Sequence, residues 1–266
     1  MAKRALCVGI NKYPQPSLDL KGCVNDAKGW TALLTEHYDF APADVRLLTN
    51  AKATKAGVLA GLDRLLTGAR RGDVLVFTNS SHGTYRADRD GDEAIYDEAL
   101  CPYDCLDDVI VDDELRERFA NLPAGVRLTV ILDSCHSGSG TRAPEEDTPD
   151  RRRPRYCDPR LIGLRAIADV RQRARPRSAL AHPESEMSEI LLSGCRADQY
   201  SYDARFGRRF HGAMSYYAQA LIAGSGYRTT YQQLRSALVP TLREHNYDQE
   251  PQLEGKTSFK RRPMFT

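Results

Sequence analysis

Short apolar runs alternate along this chain with longer stretches in which apolar residues recur every three or four positions. Residues 4–10 form one such run, ending in Gly9 and Ile10 and followed by the polar, proline-bearing residues 11–16, which reads as a buried strand and a loop. Residues 23–38 place Val24, Ala27, Trp30, Leu33, Leu34 and His37 at helical spacing, and 45–49 is again a short apolar strand. Val58, Leu59, Leu62, Leu65 and Leu66 predict a helix over 55–69, and residues 73–78 (DVLVFT) a continuous buried strand. The same reading gives a helix near 113–121, strands at 126–132 and 190–193, helices near 212–223 and 231–244, and a final apolar segment at Met264 and Phe265. Alternation of this kind predicts an α/β fold in one domain: a mostly parallel sheet of about six strands with helices on both faces.

With 266 residues, 41% of them hydrophobic and 28% charged, the chain can bury a large core, which excludes disorder as its main state. No run approaches the roughly 18 apolar residues of a membrane span, and the apolar run 5–10 is shorter than a secretory core of about 7 to 15 residues. A soluble, cytoplasmic protein with no membrane partner is therefore expected. Seven cysteines (Cys7, Cys23, Cys101, Cys105, Cys135, Cys157, Cys195) are an odd number without zinc spacing, and they predict reduced thiols.

The net charge of +2 conceals an uneven distribution. Residues 142–177 carry eleven arginines, no lysine and six acids, a local +5 that leaves −3 for the rest. With prolines at 144, 149, 154, 159 and 176, this segment is expected to be a surface loop with one short helix around 161–170. Only Tyr156 interleaves the arginines, so the segment lacks a stacking platform for bases, which argues against nucleic acid as its partner.

Two loops at the predicted carboxyl ends of strands carry the candidate chemistry. Residues 79–84 read NSSHGT and residues 133–140 read DSCHSGSG. If the two strands are neighbours, His82 and Cys135 face each other across the sheet edge. A thiolate is a strong nucleophile, and an imidazole beside it can take the thiol proton and later protonate a leaving amine. The backbone N–H groups of Gly83 and Cys135 could then hold a developing oxyanion, with Gly83, Gly138 and Gly140 allowing close approach. Cys135 lies 53 positions after His82, close to the spacing of about 50 found in caspases. His136 adjoins the candidate nucleophile, but a neighbour on a tight turn generally points elsewhere.

The segments LCVGINKY (6–13), LKGCVNDA (20–27), SSHGT (80–84), DEALCPYD (97–104), DSCHSG (133–138) and SGCRADQ (193–199) together resemble the metacaspases and their prokaryotic caspase-like relatives. The resemblance implies a caspase-like three-layer sandwich and a Cys-His dyad of His82 and Cys135. It also implies a specificity pocket lined by Asp26, Ser80 and Asp133, with Cys23 nearby. Two converging carboxylates suit a guanidinium or ammonium group, so protein or peptide substrates with Arg or Lys before the cut are expected. The Arg-rich segment then falls between a large-subunit-like part (1–141) and a small-subunit-like part (189–266). Residues 142–188 would be a processing linker, whose cutting by the enzyme itself or by an upstream activating protease activates a form made latent.

Family resemblance also places Asp97, Asp112 and Asp113 where metacaspases bind calcium, and oxygen ligands suit that ion. A fourth acid expected seven residues after the cysteine is Arg142, so no cofactor is expected to be required, with calcium a possible addition. Residues 86–97 imitate an EF-hand loop through Asp88, Asp90, Gly91 and Asp92, but Arg86 stands at the first ligand and Asp97 where a glutamate belongs. The resemblance further implies a monomer. An alternative function is a catalytically silent caspase-like scaffold that binds a partner or nucleic acid through the Arg-rich segment.

Overall fold

In the computed structural model, residues 1–87, 96–135, 152–164, 184 and 186–266 are described. A six-stranded sheet runs in the order β2-β1-β3-β7-β9-β12, built from β1 (Lys3–Gly9), β2 (Val45–Thr49), β3 (Val74–Ser80), β7 (Arg127–Asp133), β9 (Glu189–Ser193) and β12 (Gln252–Glu254). Every neighbouring pair is parallel except β9 with β12. Chain order reverses about β1, which has β2 on one side and β3 on the other. A crevice opens at the strand carboxyl ends beside such a switch point, and β1, β3 and β7 all deliver loops to it.

Both faces of the sheet are covered, which is why its strands read as continuous apolar runs. Leu6 and Val8 of β1, Leu75 and Phe77 of β3 and Leu128 and Val130 of β7 pack on one face with α2 (Lys55–Leu66) and α3 (Asp112–Ala120). The alternate residues Ala5, Cys7, Val74, Val76 and Ile131 pack on the other with α1 (Cys23–His37), α4 (Ala213–Gly224) and α5 (Tyr231–Glu244). Met264 and Phe265 are buried in that second cluster without forming a strand. Helix α2 begins where Thr54 Oγ1 accepts from the Gly57 N–H at 3.0 Å, which satisfies one of its free amides. Among the described residues no helix is long and apolar enough to cross a membrane. All seven cysteines are buried and unpaired.

Two antiparallel sheets stand at the carboxyl-end rim. One joins β4 (Gly83–Ala87), β5 (Tyr96–Leu100) and β6 (Ile110–Val111). The other has β10 (Tyr202–Phe206) at its centre, with β11 (Arg209–Gly212) on one edge and β8 (Arg153–Pro154) on the other. Here the structure departs from expectation. The Arg-rich segment was expected to be a solvated loop, yet its described residues 152–164 run between the two rim sheets, and Arg155 is fully buried at 0% exposure. A 3-10 turn occupies Pro159–Ile162, ended by Gly163 at φ 74°, while most of the short helix expected around 161–170 lies outside the described residues.

Candidate active site

Strand β3 ends at Ser80, and the chain then turns through Ser81 and His82 into β4. Strand β7 ends at Asp133, and Cys135 follows two residues later. Because β3 and β7 are paired in register, Ser80 opposite Asp133, the loops bearing His82 and Cys135 leave adjacent strands at one edge. Both side chains are buried.

Each is held by backbone groups. The Nε2–H of His82 donates to the Leu18 carbonyl at 2.8 Å, a bond that selects the tautomer with a lone pair on Nδ1. Nδ1 itself is buried without a hydrogen-bond partner. The His82 backbone N–H donates to Tyr13 Oη at 3.1 Å, and the two rings lie 5.4 Å apart. Burial pulls the His82 pKa down to about 3, with the nearby charges of Arg153 and Arg155 acting in the same direction, so the imidazole is neutral at neutral pH. The Cys135 thiol donates to the Ser201 carbonyl at 3.2 Å, while its sulfur accepts from the Ser201 N–H at 2.7 Å. A hydrogen bond to Cys135 and burial together push the Cys195 thiol well above the ordinary thiol pKa.

Beside them lies a buried acidic pocket, and Arg155 fills it. Its Nη2 donates to Asp26 at 2.6 Å and to Asp203 at 3.1 Å, and its Nη1 pairs with the Asp133 carboxylate and carbonyl, both at 3.1 Å. Burial opposes the guanidinium charge, but the surrounding Asp133, Cys23, Asp26 and Asp203 outweigh that and raise the Arg155 pKa above its ordinary value. Each carboxylate is anchored from behind. Asp26 accepts from the Gly212 N–H and from His211, Asp133 from the Ser215 N–H and Ser201 Oγ, and Asp203 from the N–H groups of Lys21 and Gly22. Gly212 is required here, since a β-carbon at that position would collide with Asp133 and with the Arg155 guanidinium. Burial raises the Asp203 pKa, partly countered by Arg155.

The backbone of the same residue is held as firmly. The Arg155 carbonyl oxygen accepts from the N–H groups of Gly83 at 2.9 Å and Cys135 at 3.1 Å, and its own N–H donates to the Ser201 carbonyl at 2.8 Å. On one side Arg153 and Pro154 pair with β10; on the other the Cys157 N–H donates to the Gly83 carbonyl at 2.8 Å. The amides expected to serve an oxyanion, Gly83 and Cys135, thus converge on one carbonyl, and Asp26 and Asp133 on one guanidinium.

Other expected residues fall differently. Cys23 opens α1 near the pocket, and burial, countered by Arg155, raises its pKa well above the ordinary thiol value. Ser80 is buried at the end of β3, and its carbonyl accepts from the Ile10 N–H at 3.0 Å. Asp97 on β5 pairs with Arg86 at 3.1 Å, and Asp112 and Asp113 at the start of α3 pair with Arg116. Among the described residues no three or more potential ligands are grouped around a metal position. Residues 88–95, His136, Gly138, Gly140 and Arg142 lie outside the described residues.

Sequence reasoning missed Asp203, Ser201 and the occupant Arg155. Asp203 was within reach, being an isolated acid four residues beyond SGCRADQ in a segment otherwise rich in aromatic residues. No local signal marked Arg155 among eleven arginines.

Residues 3–144 match the metacaspase, peptidase C14 domain family. The chain is 35% identical over 257 residues to Metacaspase-1 of Arabidopsis thaliana, an alignment covering 92% of this chain and 66% of that protein. It is 34% identical to Metacaspase-1 of Cryptococcus neoformans, with 95% and 62% covered. The chain thus spans about two thirds of the length of these relatives. Among solved structures, protein GSU0716 from Geobacter sulfurreducens superimposes with a TM-score of 0.71 at 26% identity, covering 100% of this chain and 99% of that one. Caspase-1 from Spodoptera frugiperda superimposes with a TM-score of 0.59 at 13% identity over 95% and 86% of the two chains, a likeness of fold. With a caspase-like sheet, a thiol and an imidazole at its carboxyl edge, and a family match across both, the chain belongs to the metacaspases of peptidase family C14.

Proposed function

We propose that this chain is a cysteine endopeptidase that cleaves after arginine, uses Cys135 and His82 as its dyad, and is made in a latent form whose cleft is filled by its own Arg155. One observation carries the reading: a single residue has its side chain on three carboxylates and its carbonyl oxygen on two N–H groups, one of them from Cys135. That is how a substrate residue before a scissile bond would be held, and here the following bond is Arg155–Tyr156.

The chemistry follows from the parts. His82 Nδ1, which carries the lone pair because Nε2–H donates to Leu18, takes the Cys135 proton as the thiol is deprotonated. The thiolate sulfur attacks the carbonyl carbon, and the carbonyl π electrons move to the oxygen held by the Gly83 and Cys135 amides. Collapse breaks the bond to the next nitrogen, which receives the proton from His82 and leaves as an amine. Water then hydrolyses the thioester, returning the thiol and releasing a carboxylate. The substrate-like bonds of Arg155 and the partnering of the Cys135 thiol with Ser201 support latency, since the thiol proton is aimed at a carbonyl and the pocket is full.

Arginine is favoured over lysine because three carboxylates around the pocket use several donors of one planar fork, which an ammonium on a flexible stem cannot match. The three carboxylates expected to bind calcium are held by arginines, so the proposed reaction routes no step through a metal. Turnover of an arginyl fluorogenic peptide, lost in Cys135→Ala and His82→Ala, tests the assignment; equal turnover of an aspartyl peptide would overturn the specificity.

A further inference from the structure

The residue three positions before Arg155 is also seated in a built site. Helix α5 ends at Glu244 and is capped by His245, and Asn246 at φ 60° turns the chain so that the Tyr247 N–H donates back to the Leu242 carbonyl at 2.9 Å. This ending leaves the carbonyls of His245 and Asn246 free of the helix ladder at its negative end, where their lone pairs can accept hydrogen bonds from a cation. The Arg152 guanidinium donates to both, to His245 at 3.0 Å, and lies over the Tyr247 ring with its central carbon 3.9 Å from the centroid. Tyr247 is buried and braced by Tyr202, Phe206 and Tyr217, with ring centroids 6.2 Å away in each case, so the platform is fixed.

The register explains the geometry. Arg153 and Pro154 pair with β10, so successive side chains point to opposite sides. Arg153 and Arg155 point one way, Arg153 donating to the carbonyls of Ser17 and Asp19 and Arg155 to the acidic pocket. Arg152 points the other way, onto Tyr247.

We propose that Tyr247 and the carbonyls of His245 and Asn246 form a second basic subsite, which takes an arginine three residues before the arginine at the cut, so that preferred protein substrates carry Arg-X-X-Arg. This rests on the function proposed above. Among the described residues no carboxylate pairs with Arg152, so the site selects by stacking and by two neutral acceptors. Such a site favours guanidinium over ammonium and rejects an acid, which would face carbonyl oxygens.

The test compares peptides ending Arg-Arg-Pro-Arg, Ala-Arg-Pro-Arg and Glu-Arg-Pro-Arg before the reporter, with the wild-type enzyme and with Tyr247→Phe and Tyr247→Leu. The first peptide should have a kcat/KM about tenfold above the second, with the third lowest. Tyr247→Phe should keep that ratio and Tyr247→Leu should cut it by at least about threefold, since only the two carbonyl acceptors remain; being a ratio within one preparation, it is independent of how much Leu variant folds. Equal turnover of the first two peptides, or a ratio retained in Tyr247→Leu, overturns the subsite alone. If no arginyl peptide is cut, the proposed function fails and the subsite falls with it.

Discussion

The carbonyl oxygen of Arg155 lies 3.1 Å from the backbone nitrogen of Cys135, so the amide of the candidate nucleophile is already bonded to the chain that fills its pocket. Latency in this account is occupancy: the cleft is formed, and the protein's own segment lies in it.

Arg155→Ala should therefore separate activity from self-cleavage. The uncut variant is expected to turn over a small arginyl peptide that the uncut Cys135-competent wild-type chain cleaves poorly. The substitution also leaves three carboxylates facing one another without their partner, so unfolding in urea should show a loss of about 3–5 kcal/mol, less as water enters the pocket. A variant that is equally stable and equally silent would contradict occupancy as the cause.

Asp203→Asn removes one of three charges around the arginine site while keeping an acceptor. Asp26 and Asp133 remain, so folding should persist and the effect should fall on binding: KM for arginyl peptides rises by about ten- to a hundredfold with kcat less affected. Lysyl peptides should suffer less, because they draw on fewer of the acceptors. Unchanged KM would remove Asp203 from the pocket.

The buried imidazole makes stability depend on pH in a defined window. His82 has its pKa lowered from 6.5 to about 3 on folding, so between those values the unfolded chain binds a proton that the folded chain does not. Stability should fall as pH drops from about 6.5 towards 4, by up to about 1.4 kcal/mol per pH unit. In a Cys135→Ala background, which keeps the chain intact, His82→Gln should flatten that slope when urea unfolding is compared at several pH values. Identical slopes would contradict a neutral, buried His82.

Calcium should change little. Asp97 is held by Arg86, and Asp112 and Asp113 by Arg116, so added calcium or a chelator should alter kcat/KM by less than about twofold. A large stimulation would mean that these pairs open to form a cage.

The central sheet was legible mainly because its inner parallel strands are buried on both faces and so read as short apolar runs. Val45–Thr49 matches the sequence reading in full, and Lys3–Gly9 and Arg127–Asp133 begin and end within one residue of theirs. The rim strands Gly83–Ala87, Tyr202–Phe206 and Arg209–Gly212 were not, since their pattern is mixed and their pairing depends on distant partners. The site divided the same way. Asp26 and Asp133 stood in motifs at element ends, whereas Arg155 stood in a proline- and arginine-rich stretch whose composition argued for solvent. Its burial is decided by Asp26 and Asp203, 129 and 48 positions away in the chain.

The central claim is that Arg155 sits in the cleft as a substrate residue. Intact-mass and N-terminal analysis of the purified wild-type protein during incubation, beside Cys135→Ala and Arg155→Gln, tests it most directly. One early cut should end a fragment at Arg155 and start the next at Tyr156, and it should be absent from both variants. Early cleavage only at other arginines, or the same cut in Cys135→Ala, would contradict it.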